Sequence, residues 1–343
     1  MTTPVIAFFN NKGGVGKTSL VYHLAWMYSD MGLSVVAADL DPQANLTAAF
    51  LDTYRLEELW PDGDHPDTIF GSLQPLLIGT GDIANPHLEH VGSDQLTLFG
   101  GYADQITLLV GDLSLSRFED QLSEAWPKCL DEDQRAFRVI SAFWRIMQRA
   151  ATQSKADIIL MDLGPNLGAI NRAALIAADY VAMPLAPDLF SLQGLQNLGP
   201  TLRTWRKNWQ SRLLKNPNQE LILPSGRMEP IGYIILQHSV RVDRAVQAYD
   251  QWIARIPREY RESVLDEHAE VAVSPTNDPY CLALIKHYRS LMAMAQEARK
   301  PMFHLQPADG AIGSHTRAVQ DAYKDFQQLA RNIAGRTGIV LPT

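Results

Sequence analysis

Apolar runs of strand length recur along the chain: VIAFF (5–9), LSVVAAD (33–39), ITLLV (106–110), ADIILMD (156–162), YVAMPL (180–185) and IGYIIL (231–236). Several are apolar on consecutive positions rather than alternate ones, the pattern of strands buried on both faces. Between them the period changes to that of a helix. Leu20, Leu24, Met27 and Met31 form one such stripe, closed by Gly32. Leu198, Leu202, Trp205, Trp209 and Leu213 form a second, and Val319, Ala322, Phe326, Leu329 and Ile333 a third within a final helix over 315–334. Strands alternating with helices predict an α/β fold, a doubly wound and mostly parallel sheet flanked by helices. Two stretches are less regular. Residues 51–104 are rich in Gly, Pro, Asp and His and read as an excursion on the ligand face. Residues 258–315 lie between the last clear strand and the last helix, with helical character in YCLALIKHYRSLMAMAQEAR (280–299). With no internal repeat and no linker, the expectation is one domain over 1–343, elaborated at about 51–104 and 258–315.

Composition narrows this picture by exclusion. A chain of 343 residues with 46% hydrophobic and 20% charged residues has ample material for a core. No secretory signal is visible, and no run approaches the ~18 apolar residues of a membrane span. Two cysteines, Cys129 and Cys281, lack Cys or His neighbours at ligand spacing, which suits a reducing cytoplasm better than a disulfide framework or a metal site. A net charge of −8 means that any nucleic-acid contact needs a local basic patch.

The densest chemical signal is NNKGGVGKTSL, residues 10–20. It lies between the first strand run and the first helical stripe, the strand–loop–helix context that a phosphate-binding loop requires. Glycines let successive N–H groups turn toward phosphate oxygens, and the helix N-terminus adds its positive dipole end. Gly13, Gly14, Val15, Gly16 and Ser19 are thus candidate phosphate contacts. Lys17 would reach the β- and γ-phosphates, and Thr18 would hold Mg²⁺. One lysine suffices for that task, yet Lys12 is also present. The pattern Lys-Gly-Gly-x-Gly-Lys-Thr resembles the deviant Walker A of the ParA/MinD group of P-loop ATPases. The resemblance implies ATP and Mg²⁺ as cofactors, and a homodimer in which Lys12 reaches the partner's nucleotide.

Further segments extend the resemblance. Asp39 and Asp41 end the second strand run, and DLDPQAN matches the family's Asp-x-Asp-Pro-Gln-x-Asn segment. By that match Asp41 orients the attacking water, and Asp39 is placed with the metal ligands. Read without the resemblance, the same residues form an Asp-Pro turn capping a helix at Asn45 or Thr47. ADIILMD ends in Asp162, the shape of a Walker B strand whose carboxylate contacts the magnesium shell. There the family's serine is replaced by Asn166, and Gly164 and Gly168 flank it. YVAMPLAPDLF resembles the segment passing near the base, so Pro184, Pro187 and Asp188 are candidates to line that pocket.

Family members of the partitioning type bind DNA non-specifically as ATP-bound dimers, which needs clustered cations. Arg203, Arg206 and Lys207 share a face beside the Trp205–Trp209 stripe, and Arg241 and Arg244 join them by family position. Charge on the outer face of a helix is the ordinary alternative. The resemblance therefore implies a ParA-like ATPase, slow and stimulated by a ParB-like or other cargo-linked partner, cytoplasmic and nucleoid-associated. Because the chain starts at its first strand, no operator-binding winged helix is expected. A MinD-like membrane ATPase is the alternative, weakened by the mixed charges of the last helix. A metabolic ligase sharing the deviant loop is less favoured, since neither cysteine lies in a nucleophile turn.

Overall fold

In the first strand, β1 (Val5–Phe8), Val5 and Ala7 pack into one core while Ile6 and Phe8 pack into another. The same division holds for β2 (Val35–Asp39) and β5 (Ile158–Asp162), so consecutive apolar residues mark strands covered on both sides. These features come from a computed structural model describing residues 2–92, 105–238, 251–268, 273–288 and 290–342.

Eight strands form one sheet in the order β3-β4-β2-β5-β1-β6-β7-β8. The remaining strands are β3 (Glu89–Val91), β4 (Ile106–Leu109), β6 (Tyr180–Leu185), β7 (Glu229–His238) and β8 (Cys281–Lys286). Every pairing is parallel except that of the edge strand β3 with β4. One face is covered by α1 (Lys17–Asp30), α2 (Asn45–Phe50) and two late helices described below. The other is covered by α4 (Ile69–Leu77), α5 (Phe118–Lys128), α6 (Gln134–Ile140), α7 (Ala142–Ser154), α8 (Ala169–Ala177) and α9 (Leu189–Leu213). A short α3 (Thr53–Leu59) follows α2. The expected doubly wound sheet is therefore present. The chain leaves β1 for β2 across β5 and later returns beside β1 as β6, which makes the C-terminal end of β1 a switch point where ligands bind.

The predicted helical stripes hold. Leu198, Leu202 and Trp209 are buried in α9, with Trp205 and Leu213 packed partly against them. In the final helix, α12 (Ser314–Thr337), Ala322, Phe326, Leu329 and Ile333 are buried against the sheet. The excursion over 51–104 contains α3, α4 and β3, with residues 93–104 outside the described set.

The later excursion differs from expectation. A short helix α10 (Ile256–Glu259) opens it, and Cys281–Lys286, read as helical from the sequence, is the edge strand β8. Helix begins only at α11 (Ser290–Ala298). The pairing of β8 with β7 slips at two places, so its buried residues, Leu282 and Ile285, stand three apart. That spacing imitates a helical face. Tyr233 of β7 donates to Asp278 at 2.6 Å, and Arg261 pairs with the same carboxylate, fixing the chain that leads into β8.

Candidate functional site

The loop between β1 and α1 takes its shape from two glycines. Gly14 and Gly16 have φ of 72° and 87°, left-handed values that a side chain disfavours. Gly16 begins α1 without any side-chain cap, which leaves the first helical N–H groups to face outward as anion donors. They face a cavity of about 740 Å³ lined by Gly13 through Ser19, by Asp41, Gln43 and Asn45, and by Pro165. Asn10 anchors the loop from below, donating to Pro184 O at 2.7 Å and accepting from Lys12 N at 2.9 Å.

The two lysines part company here. Lys17 is buried in the cavity wall and donates to the carbonyls of Asn10 and Lys12 at 3.2 and 3.3 Å. Burial lowers its pKa, and Asp162 and Asp41 oppose that shift. Lys12 does not line the cavity. Its ammonium pairs with Asp188 at the rim and lies 5.7 Å from the ring centroid of Phe190. Phe190 is 65% exposed, and Leu189 and Leu167 are also exposed.

Sheet register sets two carboxylates side by side, because Asp39 on β2 pairs directly with Asp162 on β5. Both are fully buried, and desolvation raises both pKa values well above the carboxylate range, reinforced at Asp162 by the charge of Asp39 and at Asp39 by that of Asp41. Asp39 Oδ2 accepts from the backbone N–H and the hydroxyl of Thr47, both at 2.8 Å. That hydroxyl in turn accepts from Gly111 N. Asp39 Oδ1 and Asp162 Oδ2 have no hydrogen-bond partner. Two orphaned carboxylate oxygens beside the Thr18 hydroxyl, which hydrogen-bonds Asp162, suit a divalent cation. Among the described residues no cluster of three or more His, Cys, Asp and Glu could hold a metal by itself. That fits Mg²⁺, which binds through one or two protein groups and phosphate oxygens. Neither Asp39 nor Asp162 lines the cavity itself; Asp39 holds α2 through Oδ2 and Thr47, which leaves its Oδ1 for the metal.

Asp41 does line the cavity, accepts from Gln43 N at 3.0 Å, and lies against Gly164 of the loop after β5. In that loop Asn166 accepts from Gly168 N, and Asn171 of α8 donates to Gly164 O and Asn166 O. The asparagine that replaces the family serine thus shapes its own loop. Pro184 and Pro187 are buried but do not line this cavity, and Asp188 is the N-cap of α9 and partner of Lys12.

Sequence reasoning missed the far wall. Met292, Ala295, Gln296, Arg299 and Lys300 from the α11 segment line the same cavity, as do Tyr22 and His23. His23 is neutral, its pKa lowered to about 4 by burial, and ties α1 to Met302 N through Nε2. The helical character of α11 was legible in the sequence, but its contact with the loop was not, because it depends on the unforeseen strand β8.

The basic face of α9 is largely occupied. Arg203 donates to Ser263 O and Val264 O and pairs with Asp266 at 3.6 Å. Arg206 donates to the carbonyls of Arg227 and Met228, and Arg212 stacks on Trp126 at 3.9 Å. Lys215 pairs with Glu132. Of the candidate DNA contacts, Arg203 and Arg206 bind backbone carbonyls of remote segments; Lys207 is exposed, and Arg241 and Arg244 lie outside the described residues.

Comparison with known proteins gives a consistent picture. A family model described as an AAA domain, AAA_31, matches residues 3–215. Protein IncC of Escherichia coli is 28% identical over 206 residues, 60% of this chain and 47% of that protein. The chromosome partitioning protein ParA of Myxococcus xanthus is 26% identical over 198 residues, 58% of this chain and 57% of that one. The chain spans about half the length of the curated relatives it matches. A Cyanothece McdA D38A–ATP complex has the same fold, with a TM-score of 0.62 at 14% identity, covering 100% of this chain and 99% of that one.

Proposed function

The chain belongs to the AAA_31 family of AAA domains and is of the ParA/MinD type, and from that premise we propose that it works as a partitioning ATPase closed into a dimer by ATP. One observation carries the reading. Lys17 serves its own cavity, whereas Lys12 sits outside it, paired with Asp188 and 5.7 Å from the exposed ring of Phe190. A lysine so placed favours a phosphate on an opposing subunit over its own, and an exposed aromatic ring beside it is what a second copy would cover.

Within each pocket the N–H groups of the loop and the Lys17 ammonium hold the phosphates. Thr18 and Asp162 would hold Mg²⁺, which neutralises charge on the β- and γ-phosphate oxygens. Asp41, against the Gly164 loop, orients the attacking water, and Lys12 of the opposing subunit stabilises the developing charge. Hydrolysis frees the dimer. The proposed setting is the cytoplasm, with non-specific DNA as the track and a cargo-linked protein as stimulator. A membrane track is less favoured, since the apolar stripe of α12 is buried against the sheet and no described helix is long and apolar enough to cross a membrane.

Light scattering of the full chain with ATP and Mg²⁺ tests the reading. Wild type should double in mass. Lys12→Ala should stay monomeric while still binding nucleotide. A Lys12→Ala variant that dimerises as wild type removes the trans role.

A further inference from the structure

The cavity over the phosphate loop has an outer wall that belongs to no recognised motif. After the edge strand β8 the chain runs through α11 and reaches the start of α3, where Arg299 Nη2 donates to Thr53 Oγ1 at 3.5 Å. Three cations line this cavity: Lys17, Arg299 and Lys300. Lys17 belongs to the phosphate loop, and Lys300 is held by Asp309 at 2.9 and 3.0 Å. Arg299 makes no ion pair among the described residues, and the one hydrogen bond its side chain makes among them is long. It is an exposed cation in the wall of a cavity whose floor is built to receive a polyanion.

The backbone adds a second observation. Arg299 follows the last residue of α11 with φ of 48°, in the left-handed region where helices ordinarily end on glycine. A long charged side chain therefore stands where the backbone disfavours any side chain. Both Arg299 and the next residue, Lys300, line the cavity across this left-handed turn.

We propose that Arg299 is a second cationic contact for the phosphate chain of the bound nucleoside triphosphate, delivered across the cavity from the segment after β8. The inference rests on the nucleotide reading of the site. A guanidinium presents a planar fork of donors that matches two phosphate oxygens, and only one long hydrogen bond to a hydroxyl has to be given up. The arginine thereby couples nucleotide occupancy to the position of α11. It also offers the site a cation that Lys12, paired with Asp188, does not supply to its own pocket.

Titration of the full chain with mant-ATP and Mg²⁺ tests this, with thermal melts run alongside. Arg299→Gln and Arg299→Gly should each weaken mant-ATP binding about tenfold. Arg299→Gly relieves the left-handed backbone and should melt no lower than wild type, which separates lost binding from lost folding. Thr53→Val should bind within about twofold of wild type. Binding by both Arg299 variants within that same margin overturns the proposal. So does a Thr53→Val loss equal to that of Arg299→Gln, since the arginine would then be only a latch between α11 and α3. Lys17→Ala should abolish binding. If it binds as wild type, the nucleotide reading falls and the arginine contact with it. If Lys17→Ala fails to bind while the Arg299 variants bind normally, only the contact is lost.

Discussion

At the scale of single residues, Asp39 and Asp162 occupy adjacent register positions at the ends of β2 and β5, buried and each with one oxygen unpartnered. Burial raises both pKa values, so the folded chain holds protons that the unfolded chain releases in the ordinary carboxylate range. The sign follows directly. Below that range both states are protonated and the pair costs nothing. As pH rises toward neutrality the unfolded state ionises first, and the pair subtracts stability. Asp39→Asn keeps an acceptor for Thr47 and removes one charge. In the nucleotide-free protein its melting temperature should exceed that of wild type by more at pH 8 than at pH 5. An equal offset at both values would mean that the two carboxylates do not share this penalty. The motif around these residues was legible because the loop 12–18 and Asp39–Asn45 are contiguous in sequence. The division of labour was not. Asp39 turned inward because Thr47, eight residues on, offers two donors to one oxygen.

At the scale of elements, what could be read was whatever repeats with a fixed period. The stripes of α1, α9 and α12 and the doubly buried strands are local patterns, and they appear where expected. β8 was lost because register slips against β7 put its buried residues at helical spacing. The partners of the cationic face of α9 were hidden for a different reason. The partners of Arg203 and Arg206 are carbonyls at 263–264 and 227–228, and carbonyls leave no mark in sequence. A similar unseen tie governs the loop after β5. Glu119 of α5 accepts from Ala169 N and Ile170 N at 2.5 and 2.8 Å, capping α8 from another helix. Two charge-assisted bonds at a helix N-terminus predict that Glu119→Gln loses about 1–2 kcal/mol in urea denaturation. A loss below about 0.5 kcal/mol, the range of ordinary surface substitutions, would show that α8 holds its start without this cap.

At the scale of the whole molecule, charge decides how DNA could be engaged. The chain carries −8, so no general positive field draws it to a polyanion. With Arg203 and Arg206 bound to carbonyls, the expected patch reduces to Lys207 together with Arg241 and Arg244, which lie outside the described residues. Three weak contacts on one subunit fall short of stable binding at moderate salt, whereas the proposed dimer doubles them. Binding should therefore depend on ATP, and the dependence should be visible in the counterion count. Each phosphate contact contributes about 0.9 to the slope of log K against log salt, so six contacts give a slope of about −5. Lys207→Ala removes one contact per subunit and should flatten that slope by about 2, equally for unrelated sequences. Gel shifts of random DNA with ATP at several salt concentrations measure both quantities. An unchanged slope in Lys207→Ala would move the contact surface off α9, and a shift of equal strength without ATP would detach DNA binding from dimer closure.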